Sequence, residues 1–306
     1  MRLRSPAHAF QAQGTSSFAT QVIGPEGLCS DPTRLQCRAM IDHKMLRGVR
    51  LSFMDTGGMR PILLLVHGFA LDHRMWESQI DAFREEWRVI APDLRGFGNS
   101  DAGPSGPLTM PGHADDLATL LSNLAVVGPV VYVGLSMGGY AGFELWRRHR
   151  ERVRAMVLAD TKATLDDAER QRYREIMARD AEAVGSSAPA LEAMWPHLCS
   201  ASLPPDAEVP QMLRVIMESQ SAHGIADGQR GMAARQDSVP LLAAIDVPTM
   251  VIVGEDDVLT PPAESRLMAE RLPRATLVEI PGAGHMSNME APEAFNAALL
   301  AFLRGL

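Results

Sequence analysis

The sequence predicts an α/β architecture built on a mostly parallel sheet, and three observations carry that expectation. Short apolar runs rich in β-branched residues recur at 62–66, 87–91, 130–133, 153–159, 248–253 and 277–280, as strands buried on both faces require. Most of them are separated by segments whose apolar residues fall at helical spacing, the alternation expected of an α/β fold. Several runs end in glycine-punctuated or polar loops, at the strand ends where open parallel sheets place their ligands.

Composition narrows the function classes. The 306 residues can fill one large core, or one core with a modest insertion, and 46% apolar with 22% charged residues is ordinary for a soluble globular protein. A formal charge of -8 without a basic stripe argues against nucleic acid as a partner. No run approaches about 18 consecutive apolar residues, so no transmembrane helix is expected. Cys29, Cys37 and Cys199 lack zinc-like spacing, and an odd number does not suit a disulfide framework, so a reducing, cytoplasmic setting is the expectation. Residues 1–24 carry Arg2 and Arg4, no acidic side chain and no apolar block of the secretory kind. Residues 1–40 therefore read as a flexible extension.

Taken in order, residues 49–53 alternate and are followed by Asp55-Thr56-Gly57-Gly58, read as an edge hairpin strand and its turn. The run at 62–66 delivers His67-Gly68-Phe69. A helix is expected over 75–83, with Trp76 packed against the sheet and His73 a solvated loop residue. After the strand at 87–91, the loop from Asp93 to Asp101 is rich in glycine but makes neither phosphate-binding motif, which argues against a nucleotide. The helix at 112–124 sets Leu117, Leu120, Leu121 and Leu124 on a core stripe, with His113 solvated near its start. The strand at 153–159 delivers Asp160. From 161 to 240 strands are hard to find, and short helices are expected at 166–183, 188–199 and 209–220. The strand at 248–253 leads into Gly254-Glu255-Asp256-Asp257. The strand at 277–280 leads into a loop whose glycines let His285 reach back across the sheet edge. A last helix at 292–303 packs through Phe295, Leu299 and Phe302.

The most informative stretch runs from Val130 to Tyr140. A buried strand passes abruptly into a helix at Ser136, with Gly134 and Gly138 on either side where a β-carbon would clash in so sharp a turn. Met137 then presents a backbone N–H at the helix start, suited to an oxyanion. This string resembles the nucleophile elbow of the alpha/beta-hydrolase family, and the resemblance extends over about residues 49–304.

The resemblance implies an alpha/beta-hydrolase fold with core segments 41–160 and 241–306 and a helical cap at 161–240. It implies Ser136 as nucleophile, His285 as base, and Asp257, three residues after Gly254, as the acid. Asp160 is the rival acid, because some members of the fold draw it from the earlier strand. It makes the N–H groups of Phe69 and Met137 the oxyanion donors, with His67 a scaffold residue. Met194, Trp195, Leu198, Met212, Ile216 and Met217 become an apolar pocket roof, some of them serving only to join cap helices. Arg230, Arg235, His197 and His223 are expected at solvated cap positions.

Acyl transfer on such a site needs no metal and no organic cofactor. Within the family the sequence looks closest to small capped esterases and enol-lactonases, so hydrolysis of a small-molecule ester, or of a lactone, is expected. Carbon-carbon bond hydrolases and cofactor-free perhydrolases share the triad, and an inactive binding module is the non-enzyme alternative. No membrane partner is expected, and oligomeric state is left open.

Overall fold

The computed structural model describes residues 40–104 and 106–306; the expected N-terminal extension thus lies almost wholly outside the described residues. Strands β1 (Met40–Leu46), β2 (Val49–Asp55), β3 (Ile62–Val66), β4 (Arg88–Pro92), β5 (Val130–Leu135), β6 (Val153–Ala159), β7 (Thr249–Gly254) and β8 (Ala275–Ile280) form one sheet in the order β1-β2-β4-β3-β5-β6-β7-β8. The first two strands run antiparallel and the rest are parallel from β4 to β8. β5 lies at the centre with every residue buried, Val133 paired between Leu65 and Val157. That double burial is why its sequence is continuously apolar.

β1 was not expected, and the hairpin turn lies elsewhere than the sequence implied. The turn is Arg47-Gly48, both with positive φ (50° and 80°), as a two-residue primed hairpin turn requires. Residues 55–58 instead connect β2 to β3, strands that are not neighbours. β1 escaped notice because Ile41, Asp42, His43 and Met45 are all exposed, which erases the alternation that marks a half-buried strand.

Helices α1 (Glu77–Phe83), α2 (Met110–Asn123) and α3 (Met137–His149) precede the cap, which is inserted between β6 and β7. The cap comprises α4 (Ala168–Val184), α5 (Ala188–Met194), α6 (Glu208–Glu218) and α7 (Ala222–Ala233), and α8 (Pro262–Arg271), α9 (Ser287–Glu290) and α10 (Pro292–Arg304) complete the core. The α2 stripe is core, with Leu117, Leu120 and Leu121 fully buried, and Trp76 packs on Phe295 at 6.2 Å between ring centres. In α10 the buried row is Phe295, Leu299 and Leu303, while Phe302 is only partly buried.

The sequence reading missed α7, whose Gly224, Gly228 and Gly231 look like helix breakers. Ser221 caps the helix by accepting from Gly224 N (2.9 Å), and a β-carbon at Gly231 would stand 1.9 Å from Leu108 O. The glycines are there so that this cap helix can lie against the core loop, a gain that outweighs their poor propensity.

Candidate active site

The C-terminal ends of β3, β5, β6, β7 and β8 bring Phe69, Ser136, Asp160, Asp257 and His285 to one edge of the sheet. Ser136 has φ 55° and ψ -113°, a conformation costly for a residue with a side chain and held only where the surroundings fix it. Its N–H donates to Ala159 O (2.9 Å), and Thr161 Oγ1 donates to its carbonyl (2.8 Å). A β-carbon at Gly138 would lie 2.3 Å from Val66 O, and one at Gly134 2.5 Å from Gly138 O, so both glycines are sterically required. Tyr132, which sequence reasoning passed over as one more strand residue, donates its hydroxyl to Gly138 O and staples the turn (2.5 Å). Among the described residues the N–H groups of Phe69 and Met137 have no acceptor.

His285 is buried, and its Nδ1–H donates to Asp257 Oδ2 (2.8 Å), which directs the other ring nitrogen away from the carboxylate. Asp257 is itself fixed on every side: Thr260 Oγ1 donates to Oδ2 (2.6 Å), and the N–H groups of Leu259 and Thr260 donate to Oδ1 (2.8 and 2.9 Å). Burial opposes charge on both partners, but their mutual attraction wins. The His285 pKa is raised and that of Asp257 is lowered, so each partner stabilises the charged form of the other.

Asp160 makes no hydrogen bond to His285. It accepts from Gly254 N (2.9 Å) and from the Ser287 hydroxyl, and burial together with the nearby Asp257 charge holds its carboxyl well above the ordinary range. Asp256 accepts from Ser200 Oγ (2.6 Å), so this neighbour of the acid ties the cap to the core.

His67 is a scaffold: Leu94 N–H donates to its Nε2 (2.8 Å) while its Nδ1–H donates to Gly68 O (2.7 Å), and burial lowers its pKa. Two other histidines depart from expectation. His73 is buried and its Nδ1 lies 2.7 Å from Asp93 Oδ1, because the glycine-rich loop that follows β4 folds inward onto it. His113 is fully buried without a hydrogen-bond partner, its pKa pushed down to about 3 by burial, because the loop before α2 covers the helix start. Asp72, His73 and Asp93 lie close enough to suggest a metal, but their oxygens are engaged. Asp72 accepts from Arg74 and Gln220, and Asp93 from the His73 and Asn99 N–H groups as well as the imidazole. Those donors do the work a cation would do, and the cluster fits a structural network.

Ser136, His285, Thr260 and Phe69 line one cavity of about 510 Å³, whose other walls come from cap residues and from the core. Of the expected roof only Met194 lines it. Trp195, Leu198, Met212 and Met217 face elsewhere: the Trp195 indole donates to Pro210 O (2.9 Å) beneath the Arg214 guanidinium, and Leu198, Met217 and Ile216 are buried in the packing that joins cap to core. Met212 packs against the same core. The wall is instead furnished by Tyr140, Met177, Met232, Lys162 and Arg174. Helical spacing reveals that a face is buried but not which of two buried directions meets the cavity, so those residues left no signal. Arg235 was expected in solvent; it is buried on Asp166 and stacked on Tyr140, 4.5 Å from the ring centre. Arg230 pairs with Glu175 and Glu182, His223 with Asp227, and His197 is exposed.

A parallel sheet with a serine elbow at its central strand and a cap over the strand ends defines a hydrolase-type fold. The chain belongs to the alpha/beta hydrolase fold family, whose pattern it matches over residues 61–292. It is similar in structure to a thermophilic esterase from Thermogutta terrifontis, at 40% identity and a TM-score of 0.82, covering 87% of this chain and 99% of that one. The enol-lactonase from Burkholderia xenovorans LB400 superposes with a TM-score of 0.79 at 29% identity, covering 86% of this chain and 100% of that one. In sequence, 3-oxoadipate enol-lactonase 2 from Acinetobacter baylyi is 29% identical over 264 residues, 86% of this chain and 96% of that one.

Proposed function

We propose that this protein is a serine hydrolase of small carboxylic esters that works through an acyl-enzyme. Core segments 41–160 and 241–306 supply the chemistry and the cap at 161–240 encloses the substrate. Ser136 Oγ attacks the ester carbonyl while His285 Nε2 takes its proton. The N–H groups of Phe69 and Met137 receive the developing oxyanion, and the imidazolium returns the proton to the departing alcohol. A water activated by the same imidazole then releases the acid and restores the serine. Asp257 fixes the tautomer of His285 and stabilises its charged form. The observation that carries this reading is a serine held in left-handed backbone at a helix start, sharing a cavity with a histidine locked by a buried carboxylate.

Lactone opening is the second reading, favoured by the enol-lactonases among the similar proteins and requiring the same attack on an sp² carbonyl. Carbon-carbon cleavage would also need a group to protonate a carbanion, and beyond the triad residues no side chain is singled out for that step. The test is kcat/KM measured under one set of conditions on a short-chain aryl ester, an enol-lactone and a vinylogous diketone. The ester or the lactone should be preferred. A diketone value about 10²-fold above the ester value, roughly 2.7 kcal/mol of transition-state stabilisation, would overturn the reading.

A further inference from the structure

Around Asp166 the cations, two of them in the cavity wall and Arg235 behind it, outnumber the carboxylates, and we infer that this part of the wall is a subsite for a carboxylate borne by the substrate away from the bond that is cleaved. The inference rests on the hydrolase reading and names the substrate class: monoesters of dicarboxylic acids, or lactones carrying a free carboxylate.

At the centre of this wall is Asp166, whose side chain is 1% exposed. Three cations converge on it: Arg235 (5% exposed) at 2.6 Å, Arg174 (10%) at 2.5 Å and Lys162 (19%) at 3.2 Å. The other carboxylate of the wall is Glu264, which accepts from Thr164 Oγ1 (2.9 Å). Three cations against two carboxylates leave one positive charge. Nearer solvent, Asp167 and Arg170 cancel one another, Asp167 capping α4 and Arg170 lying over Tyr173.

The three cations differ in what they can offer a ligand. Arg235 is spent, with both terminal nitrogens on Asp166, Met232 O and Thr164 O. Arg174 gives Nε to Asp166 and Nη1 to Gln229 Oε1 (2.9 Å), and its Nη2 has no protein acceptor among the described residues. Lys162, with three donors, reaches only Asp166 among the described residues. Both Arg174 and Lys162 line the cavity that holds Ser136 and His285.

An unbalanced buried charge is tolerable while water fills the cavity, and it becomes costly when an apolar ligand displaces that water. A single carboxylate restores neutrality and accepts from Arg174 Nη2 and the Lys162 ammonium together, whereas a doubly charged phosphate would overshoot. The group binds and orients; the ester is still cleaved by water through Ser136.

The test compares kcat/KM on monomethyl esters of straight-chain diacids of increasing length with methyl esters of the same lengths ending in an uncharged primary amide. At the fitting length the acid should be preferred by about tenfold or more, the worth of a hydrogen bond to a charged group. Lys162→Met should cut that ratio about tenfold and Lys162→Arg should retain most of it. Arg172→Met, the same charge change on the exposed face of α4, should leave the ratio alone. Amide and acid esters turned over equally at every length would overturn the subsite while leaving the hydrolase reading intact. So would equal effects of Lys162→Met and Arg172→Met. Absence of turnover on every ester, with no labelling of Ser136 by a phosphonate, would remove the hydrolase reading and the subsite with it.

Discussion

Asp257 and Asp160 are two buried carboxyls near one histidine, and their surroundings push them in opposite directions. Asp257 receives the His285 N–H and three further donors and its pKa is lowered, whereas burial and the Asp257 charge push the Asp160 carboxyl well above the ordinary carboxylate range. Asp160 makes no hydrogen bond to the imidazole, so an amide there leaves the tautomer alone, but the same change at Asp257 mis-sets it. Asp257→Asn should therefore reduce kcat/KM by roughly 10³-fold or more, and Asp160→Asn by less than about tenfold. The reverse ranking in folded variants would transfer the role to Asp160. The pH profile supplies an independent check. His285 acts as a base only when neutral, and its pKa is raised, so the acidic limb of kcat/KM should rise at a pH above the ordinary 6.5. Burial alone would lower that pKa and Asp257 is what raises it, so the residual activity of Asp257→Asn should have its limb at lower pH than the parent. At this scale the placement of Ser136 and His285 was legible in the sequence, because each follows an apolar strand run within a glycine-flanked loop. It was less informative about the acid, since Glu255, Asp256 and Asp257 stand together and only contact with the imidazole separates them.

Elements buried on both faces were legible and exposed or doubly committed ones were not. β3, β5, β6 and β7 announce themselves as apolar runs, whereas β1 is mostly exposed and α7 carries three glycines whose reason lies in the loop it touches. The loop holding His285 depends on a similar long-range tie. Glu290 on α9 accepts from Gly284 N (3.0 Å) and Met286 N (3.2 Å) through one oxygen and from Ser200 N in the cap through the other (2.7 Å), while Met286 N also donates to Leu198 O. An amide cannot accept at both ends, so Glu290→Gln leaves one set of N–H groups facing a donor. The expected cost is about 1–3 kcal/mol of unfolding free energy in urea, with a fall in kcat on a neutral ester as the His285 loop loosens. An unchanged unfolding midpoint would show that the carboxylate is dispensable.

Across the described residues, the core brings Phe69, Ser136, Asp160, Asp257 and His285 to the ends of five parallel strands while cap residues line the cavity in front of them. The general plan was readable because each strand end and its loop carry a local signal. The cavity lining was not, because it depends on how four cap helices turn toward the core, and Met194 alone of the expected roof faces inward. No helix among the described residues is long and apolar enough to cross a membrane. These features meet in the proposal that Ser136, held at positive φ and sharing its cavity with His285, is the nucleophile. Incubation of the intact chain with an organophosphonate ester, followed by peptide mass mapping, addresses it directly. A single adduct on Ser136 is expected, absent in Ser136→Ala and strongly slowed in Asp257→Asn. An adduct on another residue, or labelling that survives Ser136→Ala, would contradict the account.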